Sequence, residues 1–143
     1  MSDMVQVVLP NDTNPLGNVL GGRVMHWIDV VGAIVAYRHS HLPVVTASME
    51  RLDFHHPIRL GGIAILKGFL VYVGRTSMEV LVEVSTEDLA TGTRKSTSTA
   101  RVTYVAIDAK GRPTSVPALR LTSDEERRRF DDAKRRREAE GRA

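Results

Sequence analysis

Cysteine is absent from this chain of 143 residues. Its absence excludes a disulfide framework, thiolate metal ligands and a cysteine nucleophile, and it fits a reducing compartment. A basic segment followed by an apolar one is also absent near the N-terminus, and the longest apolar stretch, interrupted by His26 and Asp29, is too short to span a bilayer. We therefore expect a soluble, cytoplasmic protein with no membrane span.

A large excess of charge of one sign is absent too. The formal net charge is only +3, which favours an anionic ligand weakly. A chain of 143 residues is long enough for one domain with a real core and too short for two. We predict a compact domain over residues 1–121 and a charged helix or tail over residues 122–143.

The C-terminal segment has the pattern of a polar helix. Ser123–Glu126 carries capping residues and acids, and basic residues follow at Arg127–Arg129 and Lys134–Arg137. Because apolar residues are few, we expect this helix to be solvated, to fray or to dock on a neighbouring subunit. The interleaved acids would repel a phosphate backbone, so we expect no nucleic-acid partner.

One apolar stretch, Val24–Ala36, contains a single acid, Asp29, and follows the pair Gly21–Gly22. Its apolar residues cover one helical face and much of the rest, which predicts a helix buried nearly all round. Basic residues at Arg38–His41 and the following Pro43 predict that the helix ends there.

The carboxylate of Asp29 needs an explanation, since an unpaired buried charge costs several kcal/mol. Within one helical turn, only His26 offers a cation. A folding argument alone would place leucine at this position, whereas a catalytic argument would place an acid. The alternative is a structural acid capped by His26 or by a loop amide.

The rest of the chain has the two-residue period of strands, with turn residues at Gly74–Thr76 and Thr91–Gly92. Short turns predict that successive strands pair antiparallel as a meander. One long helix lying against about five strands makes an α+β domain. The predicted strands include Met4–Leu9, Val44–Met49, Ile63–Val73, Met78–Val84 and Thr97–Ile107.

Other chemistries have weaker signals. No Gly-x-Ser-x-Gly elbow surrounds any serine, so a serine hydrolase is not expected. The histidines lack acidic or cysteine partners at ligand spacing, so no metal site is predicted. These histidines are His26, His39, His41, His55 and His56.

Several segments carry a family resemblance. Asn14–Gly22, followed by Met25, Trp27, Asp29 and Ala33, resembles the opening of the hotdog-fold acyl-CoA thioesterases related to brain acyl-CoA hydrolase and its bacterial short-chain relatives. The resemblance runs from about Val5 to Leu119. Its other segments are Arg38–His39, Phe54–Gly61, Gly74–Val80, Thr103–Asp108 and Val116–Pro117.

This resemblance implies a hotdog domain, in which a curved antiparallel sheet wraps a long central helix. It also implies an edge-to-edge homodimer and hexamers built as trimers of dimers. The active sites would lie between subunits, with Asn14 and Asp29 from different chains. The expected reaction is hydrolysis of short- to medium- or long-chain acyl-CoA to fatty acid and coenzyme A, with no further cofactor.

Thioester hydrolysis gives each candidate residue a role. Asp29 would act as the general base for water, or as the nucleophile itself. Asn14 would hold the water or the carbonyl, although Asn-Pro also starts turns. The free amides of the first helical turn, at Gly21, Gly22 and Arg23, would stabilise the oxyanion, unless the glycines are plain turn residues.

Substrate binding needs cations for the phosphates of coenzyme A and apolar walls for the acyl chain. The candidate phosphate-binding residues are Arg75, Thr76, Ser77, Arg94 and Lys95. The candidate acyl-pocket residues are Met25, Ile28, Phe54, His56 and Pro57.

Two other functions remain open on the same fold. One is a non-catalytic acyl-CoA sensor or scaffold, which would not need Asp29. The other is a dehydratase of 3-hydroxyacyl thioesters, which would pair Asp29 with a histidine on the following loop, such as His39 or His41.

Overall fold

The computed structural model describes residues 1–141, except for the side chains of Asp53 and Phe54. One long helix lies across a five-stranded antiparallel sheet, which confirms the predicted α+β class and the hotdog arrangement. Neither α-helix of the described chain has the length and apolar character needed to cross a membrane. The elements are β1 Ser2–Val7, a 3-10 turn Pro10–Asp12, α1 Gly21–Ser40, β2 Val44–Phe54, β3 Gly62–Val73, β4 Ser77–Asp88, β5 Arg94–Ala106 and α2 Asp124–Ala139.

The strands are ordered β1-β3-β4-β5-β2 in the sheet. The predicted meander is therefore confirmed for β3, β4 and β5 only, and it is wrong for β1 and β2. The reason is the position of α1 between β1 and β2 in the sequence, because the helix carries the chain across the sheet. As a result β2 pairs with β5 alone, and its other edge has no partner strand in the described chain.

Helix α1 packs closely on the centre of the sheet. A Cβ atom added at Gly68 on β3 would lie 2.9 Å from the side chains of both Val31 and Val35. The missing side chain at Gly68 therefore allows the helix to approach β3. The helix begins at Gly21 and ends at Ser40, and it is capped by His41, whose left-handed backbone (φ 56°) donates its N–H to Tyr37 O at 2.7 Å.

The prediction that α1 is buried nearly all round is wrong for the single chain. Its face toward the sheet is buried, whereas Met25, Ile34 and Tyr37 are 43%, 40% and 56% exposed. These side chains point away from the sheet, where the described chain provides nothing to cover them. An apolar stripe therefore runs along the outside of the helix.

Helix α2 packs on the sheet of its own chain rather than standing in solvent. The Phe130 ring stacks on Tyr72 with centroids 5.3 Å apart, and Ala133 is 1% exposed. Glu79 on β4, which is 2% exposed, pairs with Arg136 and Arg137 of α2. The low apolar content led to an expectation of little burial, but this ion cluster and the aromatic stack supply the contact.

Gly68→Ala should destabilise the fold by about 1–3 kcal/mol, because the new methyl group overpacks the contact with α1. The measurement is urea denaturation of wild type, Gly68→Ala, Val35→Ala and the double variant. Shortening Val35 makes room for the methyl group, so the double variant should be more stable than the sum of the single effects predicts. Simple additivity would contradict this packing account.

Glu79→Gln should destabilise the protein by about 3–5 kcal/mol, because it leaves the buried Arg137 and the half-buried Arg136 without their carboxylate. Thermal unfolding monitored by circular dichroism measures the loss. Glu83→Gln is the matched control, since Glu83 lies on the same strand and is exposed. Equal melting temperatures for the two variants would show that the Glu79 cluster does not hold α2.

Candidate active site

Asp29 lies where α1 crosses strands β2 and β5, and two hydroxyl groups contact its carboxylate. Thr46 on β2 and Tyr104 on β5 are partners in the strand register, so both side chains reach the helix from the same face of the sheet. Thr46 Oγ1 donates to Asp29 Oδ1 at 2.8 Å, and the Tyr104 hydroxyl donates to the same oxygen at 3.0 Å. The carboxylate is thus held from one side.

The second carboxylate oxygen of Asp29 has a different environment. In the described part of the chain, no hydrogen bond reaches Oδ2, and His26 forms no ion pair with Asp29. The half-buried carboxylate is therefore held by hydroxyl groups and not by His26 or a loop amide. Oδ2 is left to accept a hydrogen bond from a ligand or from water.

Tyr104 is suited to act as a hydrogen-bond donor here. Its side chain is fully buried. Burial first, and then the neighbouring Asp29 carboxylate, raise the pKa of Tyr104 above its ordinary value. The phenol therefore keeps its proton at physiological pH and donates to Asp29.

Asn14 lies in the loop before α1, and its side chain has one free end. Its Oδ1 accepts from Leu16 N at 3.0 Å and from Asn18 N at 3.1 Å. The side chain thus builds the turn, which was the structural alternative for this residue. Its amide NH2 makes no hydrogen bond within residues 1–141 and can donate to a ligand.

The N-terminus of α1 lies beside this loop. A cavity of about 280 Å³ is lined by Asn14, Gly21, Val24, Arg51 and Pro57, among others. Open space surrounds Gly21 and Gly22, and a Cβ at either would meet no atom within 4 Å. These glycines allow a ligand to approach the free amides of the first turn.

Arg23 differs from the two glycines. Its amide donates to Leu20 O at 3.0 Å, so that amide is already occupied. Its side chain pairs with the buried Asp12 at 3.1 Å. The oxyanion candidates in this chain are therefore reduced to the amides of Gly21 and Gly22.

These groups form two separate half-sites in one chain. One half-site contains Asn14 and the N-terminus of α1, and the other contains Asp29, Thr46 and Tyr104. Asp29 follows Gly21 by eight residues, or about 12 Å along a helix axis. A reacting thioester needs its base and its oxyanion donors within about 3 Å of the same carbonyl group, so one chain does not bring them together.

The candidate phosphate-binding residues also lie apart. Arg75 and Thr76 lie in the turn between β3 and β4, and Ser77 begins β4, whereas Arg94 and Lys95 pair with the far end of β4. Strand β4 separates them by about 35 Å at strand rise. Arg94 pairs with Glu87 at 2.7 Å, and Lys95 lines a cavity of about 390 Å³.

The candidate acyl-pocket residues do not meet in one chain either. Ile28 is fully buried in the core, and Met25 is 43% exposed on the outer face of α1. His56 and Pro57 line the cavity that contains Lys95. The side chain of Phe54 lies outside the described residues.

Thr46 and Tyr104 were not predicted from the sequence. Tyr104 had a signal, since it alternates with Val102 and Ala106 on the buried face of β5 and carries a polar group into that face. Thr46 had none, because threonine is an ordinary strand residue. Only the pairing of β2 with β5 brings both hydroxyls to Asp29.

Residues 16–93 match the family model described as the thioesterase superfamily. A relative from Bacillus subtilis, the uncharacterized acyl-CoA thioester hydrolase YkhA, is 40% identical over 83% of this chain and 69% of its own length. The cytosolic acyl coenzyme A thioester hydrolase of Rattus norvegicus is 34% identical over 94% of this chain. This chain spans only 36% of the rat protein.

Solved structures are similar as well. An apo-hexameric acyl-CoA thioesterase is 40% identical, with a TM-score of 0.91 over 96% of this chain and 88% of that one. The acyl-CoA hydrolase of Staphylococcus aureus, solved with butyryl coenzyme A and coenzyme A, is 34% identical, with a TM-score of 0.88 over 98% of this chain and 85% of that one.

The Staphylococcus aureus enzyme has also been solved with alanine in place of single aspartate, asparagine and threonine residues. In that enzyme the aspartate follows the asparagine by 15 residues, and the threonine follows the aspartate by 17. Asn14, Asp29 and Thr46 have the same spacing in this chain.

Proposed function

Since this chain belongs to the thioesterase superfamily and is an acyl-CoA thioester hydrolase within it, we propose that Asp29 is the carboxylate that drives hydrolysis. Thr46 and Asn14 are its partners in this proposal. The observation that carries it is the Asp29 carboxylate with both hydroxyl donors on Oδ1. The products are a free carboxylic acid and coenzyme A, and no further cofactor takes part.

The free oxygen of Asp29 supports a role as general base. Water is a weak nucleophile at neutral pH, and a carboxylate oxygen within hydrogen-bond distance takes its proton as it attacks the thioester carbon. Oδ2 has the free lone pairs for this step, while Thr46 and Tyr104 hold Oδ1. The exposed hydroxyl of Thr46 also lies beside the same carboxylate and can bind the attacking water.

Direct attack by Asp29 is the alternative, and it forms an anhydride between the carboxylate and the acyl group. A single turnover in oxygen-18 water tests the two routes. Label in the Asp29 peptide after proteolysis assigns attack by the carboxylate. Label only in the released acid fits both routes, because water can also open the anhydride at the acyl carbon, so mass spectrometry after a rapid acid quench is used to look for the acyl group on Asp29. Its absence during turnover assigns the general-base route.

The oxyanion donors come from a second chain in this proposal. The separation of about 12 Å along α1 prevents Gly21 and Asp29 of one chain from acting on the same carbonyl group. A second chain can bring its own Asn14, Gly21 and Gly22 to Asp29. The Asn14 NH2 group and the two glycine amides then donate to the developing oxyanion.

The free edge of β2 supports this assembly. It is an 11-residue edge strand that exposes apolar residues, with Val45 46% and Leu52 42% accessible. Such an edge invites pairing with another strand. We propose that β2 pairs with β2 of a second copy, that α1 covers its apolar stripe in the same interface, and that dimers assemble further into a hexamer.

The residues proposed to bind coenzyme A are also kept apart within one chain. Arg75 and Lys95 are too far apart to hold one phosphate group, so each would serve a separate subsite or a neighbouring chain. The cavity that contains Lys95 also contains Arg59 and His56, and of the acids that line it, Glu87 and Asp88, the first is paired with Arg94. We assign the phosphates of coenzyme A to this cavity. We also propose that the protein acts in the cytoplasm.

Neither rival function has comparable support. A non-catalytic binder does not need a carboxylate held on one oxygen. A dehydratase needs a histidine beside Asp29, but Nε2 of His39 bonds Pro117 O at 2.7 Å and lies ten residues along α1 from Asp29. His41 is exposed at the C-terminus of the helix.

Asp29→Asn should lower kcat by about 10²- to 10⁴-fold, the range for loss of a general base, since the amide cannot accept the proton of water. Release of free thiol from a series of acyl-CoA substrates of increasing chain length measures the loss and the substrate range. Asp131→Asn, on the exposed face of α2, is the control for loss of one carboxylate. Undiminished turnover by Asp29→Asn would remove this residue from the mechanism.

Two inactive chains should complement each other if the site is shared. Differently tagged Asp29→Asn and Asn14→Ala chains, co-expressed in equal amounts, should form hybrid dimers with one intact site and recover about a quarter of wild-type activity. The control pairs the Asp29→Asn chain with a chain carrying both substitutions, which leaves no intact site. No recovery in the test pair would place both residues in one chain.

A further inference from the structure

The contact between Tyr104 and α1 depends on a glycine in the middle of the helix. A Cβ atom added at Gly32 would lie 2.3 Å from the Tyr104 hydroxyl oxygen and 3.0 Å from two ring carbons. A glycine inside a helix costs about 0.5–1 kcal/mol relative to alanine. At this position it lets a phenol from β5 reach the residue one turn earlier, Asp29.

The Tyr104 hydroxyl contacts Asp29 at two points. It lies 2.9 Å from the backbone carbonyl oxygen of Asp29 and 3.0 Å from Oδ1. The single hydroxyl proton is shared between two oxygens of one residue, so the phenol fixes the side chain relative to its own backbone. The carboxylate is thereby held with Oδ1 toward the sheet and Oδ2 away from it.

The two donors to Asp29 differ in mobility. Thr46 is exposed, and its hydroxyl can turn toward water or a ligand. Tyr104 is fully buried on β5, between helix and sheet, so its hydroxyl cannot turn toward solvent. The hydrogen bond from Thr46 can therefore be exchanged during a reaction, whereas the hydrogen bond from Tyr104 is permanent.

From these contacts we propose that Tyr104 is the positioning residue of the reaction, and that Gly32 provides the space it needs. Tyr104 fixes the carboxylate of Asp29 and aims Oδ2 at the water. This inference rests on the proposed function of Asp29 as the base. Tyr104 itself does not contact the substrate in this proposal.

Tyr104 is the main fixed hydrogen-bond donor in the surroundings of Asp29. On α1 the nearest titratable group is His26, one turn earlier and exposed. Strand β2 presents the Thr46 hydroxyl, and β3 and β4 face the helix with Gly68, Val80 and other apolar positions. Among the described residues, Tyr104 is the one titratable group that hydrogen-bonds to Asp29.

The test is steady-state thioester hydrolysis by Tyr104→Phe, with kcat and KM measured separately. Phenylalanine keeps the ring but removes the hydroxyl that fixes Asp29, so kcat should fall by about 10- to 100-fold through misplacement of the base. KM should change less than about twofold, because Tyr104 does not contact the substrate in this proposal.

Two further variants keep the test decisive. Tyr72→Phe removes the hydroxyl of a tyrosine that packs on Phe130 and should leave kcat unchanged. Gly32→Ala keeps the phenol but pushes it from Asp29, so it should lower kcat while KM changes less than about twofold. If Tyr104→Phe does not fold, Gly32→Ala still tests whether Tyr104 positions Asp29.

The outcomes separate this inference from the proposed function. A lower kcat with nearly unchanged KM in folded Tyr104→Phe or Gly32→Ala supports positioning by Tyr104. An unchanged kcat in either folded variant, even with a lower melting temperature, would reduce Tyr104 to a packing residue. Full activity of Asp29→Asn would instead overturn the proposed function itself.

Discussion

The distance between helix α1 and the sheet controls the geometry of the candidate site. Two glycines set this distance from opposite sides, Gly68 on β3 and Gly32 on the helix, because a methyl group at either position would collide with a packed side chain. Close packing brings Asp29 within hydrogen-bond distance of β2 and β5. A polar group is tolerated in this apolar contact because hydroxyl donors reach it.

The same sheet presents different chemistry on its two faces. On the α1 side, alternate residues of β4 such as Val80 and Val82 form the core. On the other side, Glu79 of the same strand is buried under α2 and pairs with its arginines. Helix α2 is held by charge and aromatic contacts, so its composition was a poor guide to its burial.

Local patterns predicted the elements well and their arrangement less well. The helix limits follow from Gly21–Gly22 and Pro43, and alternation identified the strands, because these signals lie within short windows. The pairing of β2 with β5 joins segments about 50 residues apart, and no local pattern encodes it. Asp29 was identifiable as a misplaced charge, but Thr46 and Tyr104 become neighbours only through that long-range pairing. Which chain supplies Asn14 or Asp29 to a given site depends on assembly, and no local pattern encodes it.

The unpaired edge of β2 has a consequence for the behaviour of the enzyme in solution. If each site is completed by a second copy, as proposed, turnover per chain depends on how much of the protein is assembled, and mass action links the two. Dilution below the dissociation constant of the dimer would then inactivate the dissociated chains without unfolding them. Abundance in the cell, and not substrate supply alone, would set the catalytic output of each copy.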